Sequence, residues 1–587
     1  MPLAAIALAA ATAAHAAPKV GPAGMPFYTA PATAPTGTHG DLISYRTTTV
    51  NLGAGAPGVK AWNVMYQSTD SVGAPNVVTG TVLIPTALWT GGGARPIVSY
   101  AVGTHGLAQP CAPSLQLMGG TDYETANINA ALAAGYAVLV SDYQGYTNGS
   151  TPTYLAGASQ GNAVLDIVRA ANQIPFISLS PTAKTAIWGY SQGGQSAAWA
   201  AERQALYAPD LKLVAVAAGG TPADFVRTAH YLDGANGASF LFAGVIGLAQ
   251  QYPAAIPLDT LASANGKEAI ARGKNECVFE ALFDLMNHSL SEYTVGNQTL
   301  DSLLTKPEIS ATLKAQDLGN NKIPVPLYQY HGKADEFIPL DQHVALKKRY
   351  CGKFSNVTFD VYPSEHIVTQ FQAAPTVLAW LADRFAGTAT AGTCATTAPD
   401  PISTANPNTG NFVVSLKSWP LTATVGLKTL AQTVILPATS TFSAETDITA
   451  KRLTGNLNVP DFKQSLKILG IGSQVGLRIS PVGETTGTAT LSNDGQLHVH
   501  GTVFANITVT SLSGIPFGEC KTNEPVAFPI NFDGPLSSLG NGKLTFTGTT
   551  TFPQIKGCII SGILSAFMSG PGQTYSFTVA PPPPVKF

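Results

Sequence analysis

Charged residues are scarce in this chain, and their scarcity excludes one class of partner. Only 11% of the 587 residues are charged, the formal net charge is −2, and Lys and Arg form no cluster along the sequence. A protein that binds nucleic acid needs a basic patch to neutralise phosphates. We therefore expect no nucleic-acid partner.

Long apolar runs and metal-type cysteine spacings are also missing. A membrane-spanning helix needs roughly 18 or more consecutive apolar residues, and the most apolar segment, residues 239–249, is too short. None of the six cysteines shows the C-x-x-C spacing of zinc or iron–sulfur sites. The sequence thus predicts no transmembrane helix, no metal and no organic cofactor.

An even number of cysteines is typical of disulfides formed in an oxidising compartment, with unpaired buried thiols as the alternative. The first residues fit a secretory route, because residues 1–16 are rich in Ala and Leu and end in the small-x-small pattern Ala14-His15-Ala16. We interpret residues 1–16 as a signal peptide with a truncated basic n-region; a flexible apolar tail is the alternative. The mature protein is expected outside the cell or in the periplasm.

The chain is too long for a single hydrophobic core. Two types of segment pattern follow one another along it. Apolar strands alternate with amphipathic helices between residues 96 and 217 and again between 325 and 362, which predicts a mostly parallel sheet with helices on both faces. Residues 222–323 are mostly helix-like and too long for a loop, so an inserted helical cap is expected. After Cys394, short strand-type segments separated by turn residues predict an all-β domain.

The domain boundaries are placed where the composition changes. The α/β domain covers residues 17–395 with its cap at about 222–323, a linker covers 396–409, and a sandwich-like all-β domain covers 410–580. Residues 581–587 begin with a run of prolines and are predicted to form an extended tail.

Residues 189–193 carry the pattern G-x-S-x-G in an informative context. A strand-type segment, residues 185–188, precedes the pattern, and a helix-type segment begins at Gly194. A strand, a sharp turn and a helix form a nucleophile elbow, in which the serine lies at the apex and the helix N-terminus directs N–H groups at a developing oxyanion. Flanking glycines permit the strained turn. Ser191 is therefore predicted to be the nucleophile of an α/β-hydrolase.

The same pattern occurs at residues 157–161, so the pattern alone decides little. No convincing strand leads into Ser159, because the turn-type residues 147–152 lie close before it, and an amphipathic helix-type segment follows. The simplest interpretation of Ser159 is a residue near a helix start. Context therefore favours Ser191 over Ser159.

A serine nucleophile needs a histidine to take its proton and a carboxylate to orient that histidine, and in α/β-hydrolases the acid comes first in the chain. Asp335 follows a strand-type segment, and it is preferred to Glu336 because the shorter side chain fits a tight turn; an exposed acidic turn is the alternative. His366 lies in a loop after the last predicted strand. His343 lies in a helix-type segment, where a histidine is ordinarily a surface residue. His366 is therefore preferred to His343 as the general base.

His498 and His500 lie two positions apart on one face of a predicted strand. Such a pair could hold a metal, but a pair without further ligands is more often a solvated strand surface. No metal site is predicted there.

Several short stretches, taken together and in order, resemble the secretory lipase family between about residues 26 and 394. The stretches are residues 26–29 (PFYT), 99–100 (SY), 111–114 (CAPS), 189–191 (GYS), 207–209 (YAP), 219–222 (GGTP) and 242–245 (FAGV). The resemblance implies an α/β-hydrolase with the triad Ser191, Asp335 and His366. It also puts an acidic residue at the position of Ser159.

The resemblance further implies roles for backbone groups and cysteines. The N–H groups of Gln192 and His105 would form the oxyanion hole, with His105 standing where the family has an Asp. The implied disulfides are Cys111–Cys277 and Cys351–Cys394, which leaves Cys520–Cys558 inside the β domain. Members of the family typically end soon after the second disulfide with a short flap, whereas a long β region follows here.

The sequence predicts a secreted serine carboxylic-ester hydrolase, lipase-like or esterase-like, that cleaves lipophilic esters such as acylglycerols through an acyl-enzyme. The same triad would also serve an acyltransferase or a hydrolase of polyesters and aromatic esters. The non-enzyme alternative is a surface-binding protein on an inactive hydrolase scaffold. The β domain is a candidate for binding lipid or polymer surfaces.

Overall fold

The computed structural model describes residues 17–33, 37–396, 403–405, 410–468, 470–536 and 543–587. The predicted signal peptide, residues 1–16, lies outside the described residues, as does most of the predicted linker, residues 396–409. Among the helices of the described ranges, none is long and apolar enough to cross a bilayer.

The strands of the first region are mostly short and mostly buried. In chain order they are β1 (Lys19–Val20), β2 (Leu42–Thr48), β3 (Val59–Thr69), β4 (Pro75–Pro85), β5 (Ile97–Ala101), β6 (Ala137–Gln144), β7 (Thr185–Tyr190), β8 (Leu213–Gly219), β9 (Leu327–Gly332) and β10 (Val357–Tyr362). Every residue of β5 and β7 is buried, as expected of strands covered on both faces.

Helices cover this sheet and build the cap. In chain order they are α1 (Pro113–Gly119), α2 (Thr125–Ala133), α3 (Gly157–Ala171), α4 (Gln192–Tyr207), α5 (Phe225–Leu232), α6 (Ala238–Gln251), α7 (Leu258–Leu261), α8 (Ala264–Gly273), α9 (Val278–Asp284), α10 (Leu300–Leu304), α11 (Pro307–Lys314), α12 (Leu340–Gly352), α13 (His366–Gln372) and α14 (Ala374–Ala386). Short 3-10 helices are Met25–Tyr28, Gln109–Cys111, Leu290–Tyr293 and Val295–Asn297. Helices α5 to α11 lie between β8 and β9, within the stretch expected to form the cap.

Within its described residues, the second region consists of strands and one short helix. Its elements are β11 (Val413–Leu427), β12 (Gln432–Ile435), β13 (Thr441–Asp447), β14 (Arg452–Asn458), β15 (Phe462–Ile468), β16 (Ile471–Pro481), β17 (Thr485–Leu491), β18 (Gln496–Leu512), β19 (Ile515–Thr522), β20 (Val526–Pro535), β21 (Leu544–Phe552), β22 (Ile555–Lys556), α15 (Ser561–Met568) and β23 (Gly570–Val579), and the last strand of the chain, β24 (Val585–Lys586), follows them. Along β18, buried and more exposed residues largely alternate, which places one face of the strand on the core.

The strand orders separate the two regions. The first sheet runs β1-β2-β3-β4-β6-β5-β7-β8-β9-β10-β24, with parallel pairing from β6 to β10. The second runs β15-β16-β18-β17-β14-β13-β11-β23-β21 through antiparallel pairs. Four further strands pair outside this order: β12 with β11, β19 and β20 with β18, and β22 with β19. The structure therefore confirms the predicted fold class, an α/β-hydrolase with a mostly parallel sheet and a C-terminal all-β region.

The end of the chain belongs to the first sheet. Residues 581–584 have no regular structure, in line with the predicted extended segment, but β24 then pairs antiparallel with β10. The Phe587 side chain is buried against Leu340 and Phe359, and its N–H bonds the carbonyl of Phe359. Residues 585–587 thus return from the β region and add an edge strand to the α/β sheet, which the sequence did not reveal.

Three disulfides link the described residues, and they are the pairs named above. Cys111–Cys277 ties the segment after β5 to the cap, Cys351–Cys394 ties the end of α12 to the segment after α14, and Cys520–Cys558 lies within the β region. The first of these anchors the loop that follows β5, which borders the candidate site.

Candidate functional site

Ser191 lies at the turn between β7 and α4. Its backbone has φ 58° and ψ −122°, a conformation that costs a non-glycine residue about 1–3 kcal/mol. The turn is tight enough to require glycines, because a Cβ on Gly193 would overlap the carbonyl of Ala101 and a Cβ on Gly189 would overlap the carbonyl of Gly193. Helix α4 begins at Gln192, two residues earlier than the sequence indicates, so Ser191 occupies its N-cap position, without a capping hydrogen bond from the side chain.

Ser159, in the second copy of the pattern, has a structural role. It lies in the first turn of α3 and is fully buried. Its hydroxyl donates to Gln144 Oε1 at 2.6 Å, and its N–H donates to Ser71 Oγ at 2.9 Å. The structure therefore places Ser159 near a helix start and away from any turn of the kind that holds Ser191.

Asp335 and His366 meet in the buried space beyond the ends of β9 and β10. The Nδ1 atom of His366 is 2.6 Å from Asp335 Oδ2, while Asp335 Oδ1 accepts the N–H groups of Phe337 at 3.0 Å and Ile338 at 2.7 Å. Burial alone would raise the pKa of Asp335, but His366, His331 and these hydrogen bonds hold the pKa below its ordinary value. The carboxylate is thus kept ionised and aimed at the imidazole.

Glu336 and His343 depart from their sequence interpretations. Asp335 and Glu336 are both buried, so the alternative of an exposed acidic turn is wrong. Glu336 accepts the backbone N–H of His366 at 3.2 Å and makes no contact with the imidazole comparable to that of Asp335. His343 is also fully buried and does not lie on the surface. Its Nε2 accepts the N–H of Thr221 at 2.6 Å and so holds the segment after β8.

His366 lies close to the nucleophile elbow. It is the first residue of α13, and its ring centroid is 4.9 Å from that of Tyr190, the residue immediately before Ser191. Within the described residues, neither the Ser191 hydroxyl nor His366 Nε2 has a hydrogen bond to a protein group. Hydrogen bonds of this kind often form only in the substrate complex. Both groups are therefore left to a substrate.

The two expected oxyanion donors, the N–H groups of Gln192 and His105, belong to the elbow and to the loop after β5 respectively. As the first residue of α4, Gln192 has an N–H with no intrahelical carbonyl to bond. His105 lies in the loop after β5, where its carbonyl accepts the N–H of Val278 and the next residue bridges to Cys277. Among the described residues, no acceptor bonds the N–H of His105. The loop is thus fixed to the cap while this donor stays free.

The His105 side chain is engaged elsewhere. Its Nδ1 lies 3.0 Å from the carbonyl of Gly103, and its Nε2 lies 3.2 Å from Asp122 Oδ2. Burial alone would lower the pKa of His105, but the Asp122 and Glu124 carboxylates raise it to about 9. With both ring nitrogens occupied, only the backbone of His105 can face a substrate.

Sequence reasoning missed a third acid at this site, Glu365. It caps α13, with Oε1 accepting the N–H of Val368 at 3.0 Å, and its other oxygen has no hydrogen-bond partner among the described residues. Burial raises the pKa of Glu365 to about 7. A carboxyl residue just before an apolar helical run is the signal that could have revealed the cap.

Two apolar cavities lie in the cap. One begins beside His105 at Thr104 and Gly106 and is otherwise lined mainly by apolar cap residues. The other is lined almost entirely by apolar side chains of α6 and the helices around it. Phe242 and Ile246 of α6 line both cavities, so the two cavities share this helix as a wall.

A further apolar cavity lies between the start of α13 and the β region. Phe412, just before β11, is part of its wall and stacks on Phe337 with ring centroids 5.9 Å apart. Phe337 in turn meets His366 edge to face at 5.4 Å. The β region therefore reaches within one aromatic ring of the imidazole.

Comparisons with known proteins identify relatives of this chain by sequence and by fold. The secretory lipase family matches residues 113–393. A probable inactive lipase of Mycobacterium tuberculosis is 30% identical over 62% of this chain and 83% of its own length, and Lipase 4 of Candida albicans is 30% identical over 64% and 83%. The solved structure of Candida antarctica lipase A in its closed state aligns with a TM-score of 0.56 and 25% identity, covering 65% of this chain and 88% of the lipase. The family match ends before β11 begins.

Proposed function

Because the chain belongs to the secretory lipase family, we propose that it is a serine carboxylic-ester hydrolase that cleaves lipophilic esters through an acyl-enzyme. Ser191 is the nucleophile, His366 is the general base, and Asp335 orients the imidazole. The observation that carries the proposal is the 2.6 Å contact between Asp335 Oδ2 and His366 Nδ1, made beside a serine held at a strained turn.

The first half of the reaction forms the acyl-enzyme. As Ser191 Oγ attacks the ester carbonyl, His366 Nε2 takes the hydroxyl proton, and the ionised Asp335 stabilises the imidazolium through Nδ1–H. The carbonyl oxygen becomes an oxyanion that accepts the backbone N–H groups of Gln192 and His105. The C–O bond to the alcohol then breaks, and His366 Nε2–H gives its proton to the leaving oxygen.

The second half restores the enzyme. Water attacks the acyl carbonyl while His366 Nε2 takes a proton from it, and the same two N–H groups receive the second oxyanion. When the bond to Ser191 Oγ breaks, His366 returns the proton to the serine and the carboxylic acid leaves. Each proton that His366 takes is thus returned within the same half-reaction.

The cap cavities support lipophilic esters as the substrate class. One cap cavity begins at residues on either side of His105, whose N–H is an oxyanion donor in the proposal. Walls of apolar side chains favour a hydrocarbon chain by roughly 0.8 kcal/mol for each buried methylene. An acyl chain that extends from the carbonyl into the cap would therefore be bound more tightly as it lengthens.

Activity and location are part of the proposal. One relative is named a probable inactive lipase, whereas this chain has a serine, a histidine and an aspartate in the roles that hydrolysis needs. Secretion is supported by the three disulfides, which are typical of oxidising compartments. The signal-peptide interpretation of residues 1–16 remains a prediction.

A covalent probe tests the nucleophile directly. A fluorophosphonate reacts with an activated serine hydroxyl, so the full-length protein is expected to carry the label on the peptide that contains Ser191, as identified by mass spectrometry. A panel of esters from p-nitrophenyl acetate to triolein emulsion then measures the acyl preference, and kcat/KM is expected to rise with acyl length. A protein that is unlabelled at Ser191 and hydrolyses none of these esters would contradict the proposal.

A further inference from the structure

The cavity between α13 and the β region, named here the interdomain cavity, is apolar on almost every side. Its α/β wall consists of Glu365, Ile367 and Val368. Its β wall consists of Phe412, Val414, Leu416, Trp419, Thr446, Ile448, Leu491, Leu497, Val499, Leu536 and Leu544. Such a space between two packed regions forfeits dispersion contacts unless something fills it.

The interdomain cavity lies on the histidine side of the candidate site. Ile367 and Val368 directly follow His366 in α13, and the wall residue Phe412 contacts His366 through the single ring of Phe337. The cap cavity that begins at Thr104 and Gly106 lies instead on the side of the His105 donor. An ester bound at Ser191 would therefore have the interdomain cavity on its His366 side and the cap cavity on its His105 side.

The proton transfer assigns the two sides to the two parts of the ester. His366 gives its proton to the leaving oxygen, so the alcohol must depart beside the imidazole, while the carbonyl oxygen faces the oxyanion donors. The acyl chain then extends toward the cap. The alcohol part extends toward the start of α13, where the interdomain cavity lies.

A buried acid in this wall points to the same occupant. Glu365 is only 3% exposed and is one of the residues that line the interdomain cavity, and its Oε2 atom has no hydrogen-bond partner among the described residues. An unpaired buried polar atom is costly unless a ligand or water bonds it. A hydroxyl on an otherwise apolar ligand would satisfy this oxygen.

We propose that the interdomain cavity binds the apolar part of the ester's alcohol, so that the β region sets the specificity for the leaving group. This inference rests on the proposed function and deepens it. The substrates it favours are esters of long-chain alcohols and partial acylglycerols, whose alcohol part carries both hydrocarbon and a free hydroxyl. The β region is then part of the substrate site.

Filling the interdomain cavity tests this assignment. Val414→Phe adds a ring to the β wall, and the matched control Ser415→Phe adds the same ring at the next position of β11, which points to the other face of the strand. For octanoate esters of ethanol and of hexadecanol, Val414→Phe is expected to lower the hexadecyl-to-ethyl ratio of kcat/KM by about tenfold or more. Ser415→Phe is expected to leave the ratio unchanged. An unchanged ratio in Val414→Phe would overturn the proposal.

A binding experiment separates this inference from the proposed function. Full-length Ser191→Ala protein is irradiated with a hexadecanol that carries a diazirine in its chain, and the cross-linked residues are identified by mass spectrometry. Cross-links to α13 and to the β wall support the inference, whether or not the wild-type protein hydrolyses esters. Cross-links confined to the cap, or none above those of a denatured control, overturn it.

A second and independent observation concerns the outer surface of the β region. His498 and His500 lie on one face of β18, and Asp533 of β20 lies directly opposite His498. Asp533 Oδ1 is 2.6 Å from His498 Nδ1 and 2.9 Å from His500 Nε2, and one ligand atom from each of the three residues lies within 4.8 Å of the others. Each side chain is about half exposed, so small rotations can adjust the geometry.

We propose that His498, His500 and Asp533 bind a divalent transition-metal ion such as Zn²⁺. Two imidazoles and one carboxylate match the three protein ligands of open zinc sites, and the fourth position faces solvent. The sequence predicts a solvated strand surface because it shows only two ligands; the third comes from a strand 35 positions away.

Calorimetric titration of the full-length protein with ZnCl₂ tests this site. One Zn²⁺ per chain is expected, and His500→Gln is expected to weaken binding by about tenfold or more. The matched control is His288→Gln, because His288 and Glu292 form an exposed imidazole–carboxylate pair in the cap, with no third ligand among the residues that the structure describes. The proposal is overturned if no saturable binding occurs or if both variants bind like the wild type.

Discussion

The two regions of the molecule contain the same contact in opposite surroundings. His366 Nδ1 and His498 Nδ1 each lie 2.6 Å from an aspartate oxygen, of Asp335 and Asp533 respectively. The first pair is buried at the end of the parallel sheet, and the second is about half exposed on the β surface. Burial strengthens the first pair, which fixes one tautomer and one orientation of the His366 ring. Water weakens the second pair, so its side chains can exchange this contact for other partners. Distance alone therefore does not reveal the role of such a pair.

The largest expected effect breaks the buried side of this comparison at the nucleophile. Ser191→Ala removes the only group that can form the acyl-enzyme in the proposed mechanism, so kcat for p-nitrophenyl esters should fall by about 10⁵-fold or more. Ser159→Ala changes the same residue type in the second copy of the pattern and removes only a hydrogen bond to Gln144. It should keep most of the activity. Comparable losses in both variants would refute the choice of Ser191.

The next effect concerns the buried carboxylate itself. Asp335→Asn leaves the size of the side chain unchanged but favours the wrong tautomer of His366, so kcat should fall by about 10³–10⁴-fold. Glu336→Gln is the neighbouring control, because burial raises the pKa of Glu336 well above its usual value and a neutral amide can still accept the N–H of His366. The exposed counterpart, Asp533→Asn, should leave the unfolding midpoint unchanged. A larger loss in Glu336→Gln than in Asp335→Asn would reverse the assignment.

A pH titration of stability probes the acid between the two regions. Burial raises the pKa of Glu365 from 4.5 to about 7, so the folded protein holds a proton that the unfolded chain releases. The free energy of unfolding should then fall by up to about 3 kcal/mol as pH rises from about 4.5 to about 7. Glu365→Gln should remove this part of the slope in urea unfolding curves. If the free energy of unfolding changed with pH in the same way in both proteins, Glu365 would be ionised in the folded protein throughout this pH range.

The smallest effect tests how firmly the two regions are joined. Phe587→Ala removes the buried ring that follows β24 and should lower the free energy of unfolding by about 0.5–3 kcal/mol. Val585→Ala, at an exposed position of the same strand, should change it by less than about 0.5 kcal/mol. Equal values for the two variants would mean that the ring adds nothing to the junction.

Most of the first region and of the candidate site could be predicted from the sequence because the signals are local. The strand before Ser191, the glycines beside it and the helix after it are adjacent in the chain, and Asp335 and His366 each follow a recognisable strand. The alternation of strands and helices likewise predicts the parallel sheet and the cap. Each of these inferences needs only a short window of residues.

The residues that sequence reasoning missed depend on distant pairing. Asp533 joins His498 only because β18 and β20 pair, and that register is not visible in either strand alone. His343 is buried by the segment after β8, although its own helix gives no sign of it. Glu365 lies between two regions whose packing no single window contains. These contacts follow from tertiary structure, which a linear pattern does not encode.

The return of residues 585–587 to the first sheet has a consequence for how the molecule could have evolved. An unpaired edge of β10 would expose backbone N–H and C=O groups that recruit other strands and promote aggregation, and β24 covers this edge. The β region therefore cannot be gained, lost or exchanged as an independent cassette without also replacing that cover. Recombination among related hydrolases would be expected to transfer the two regions together.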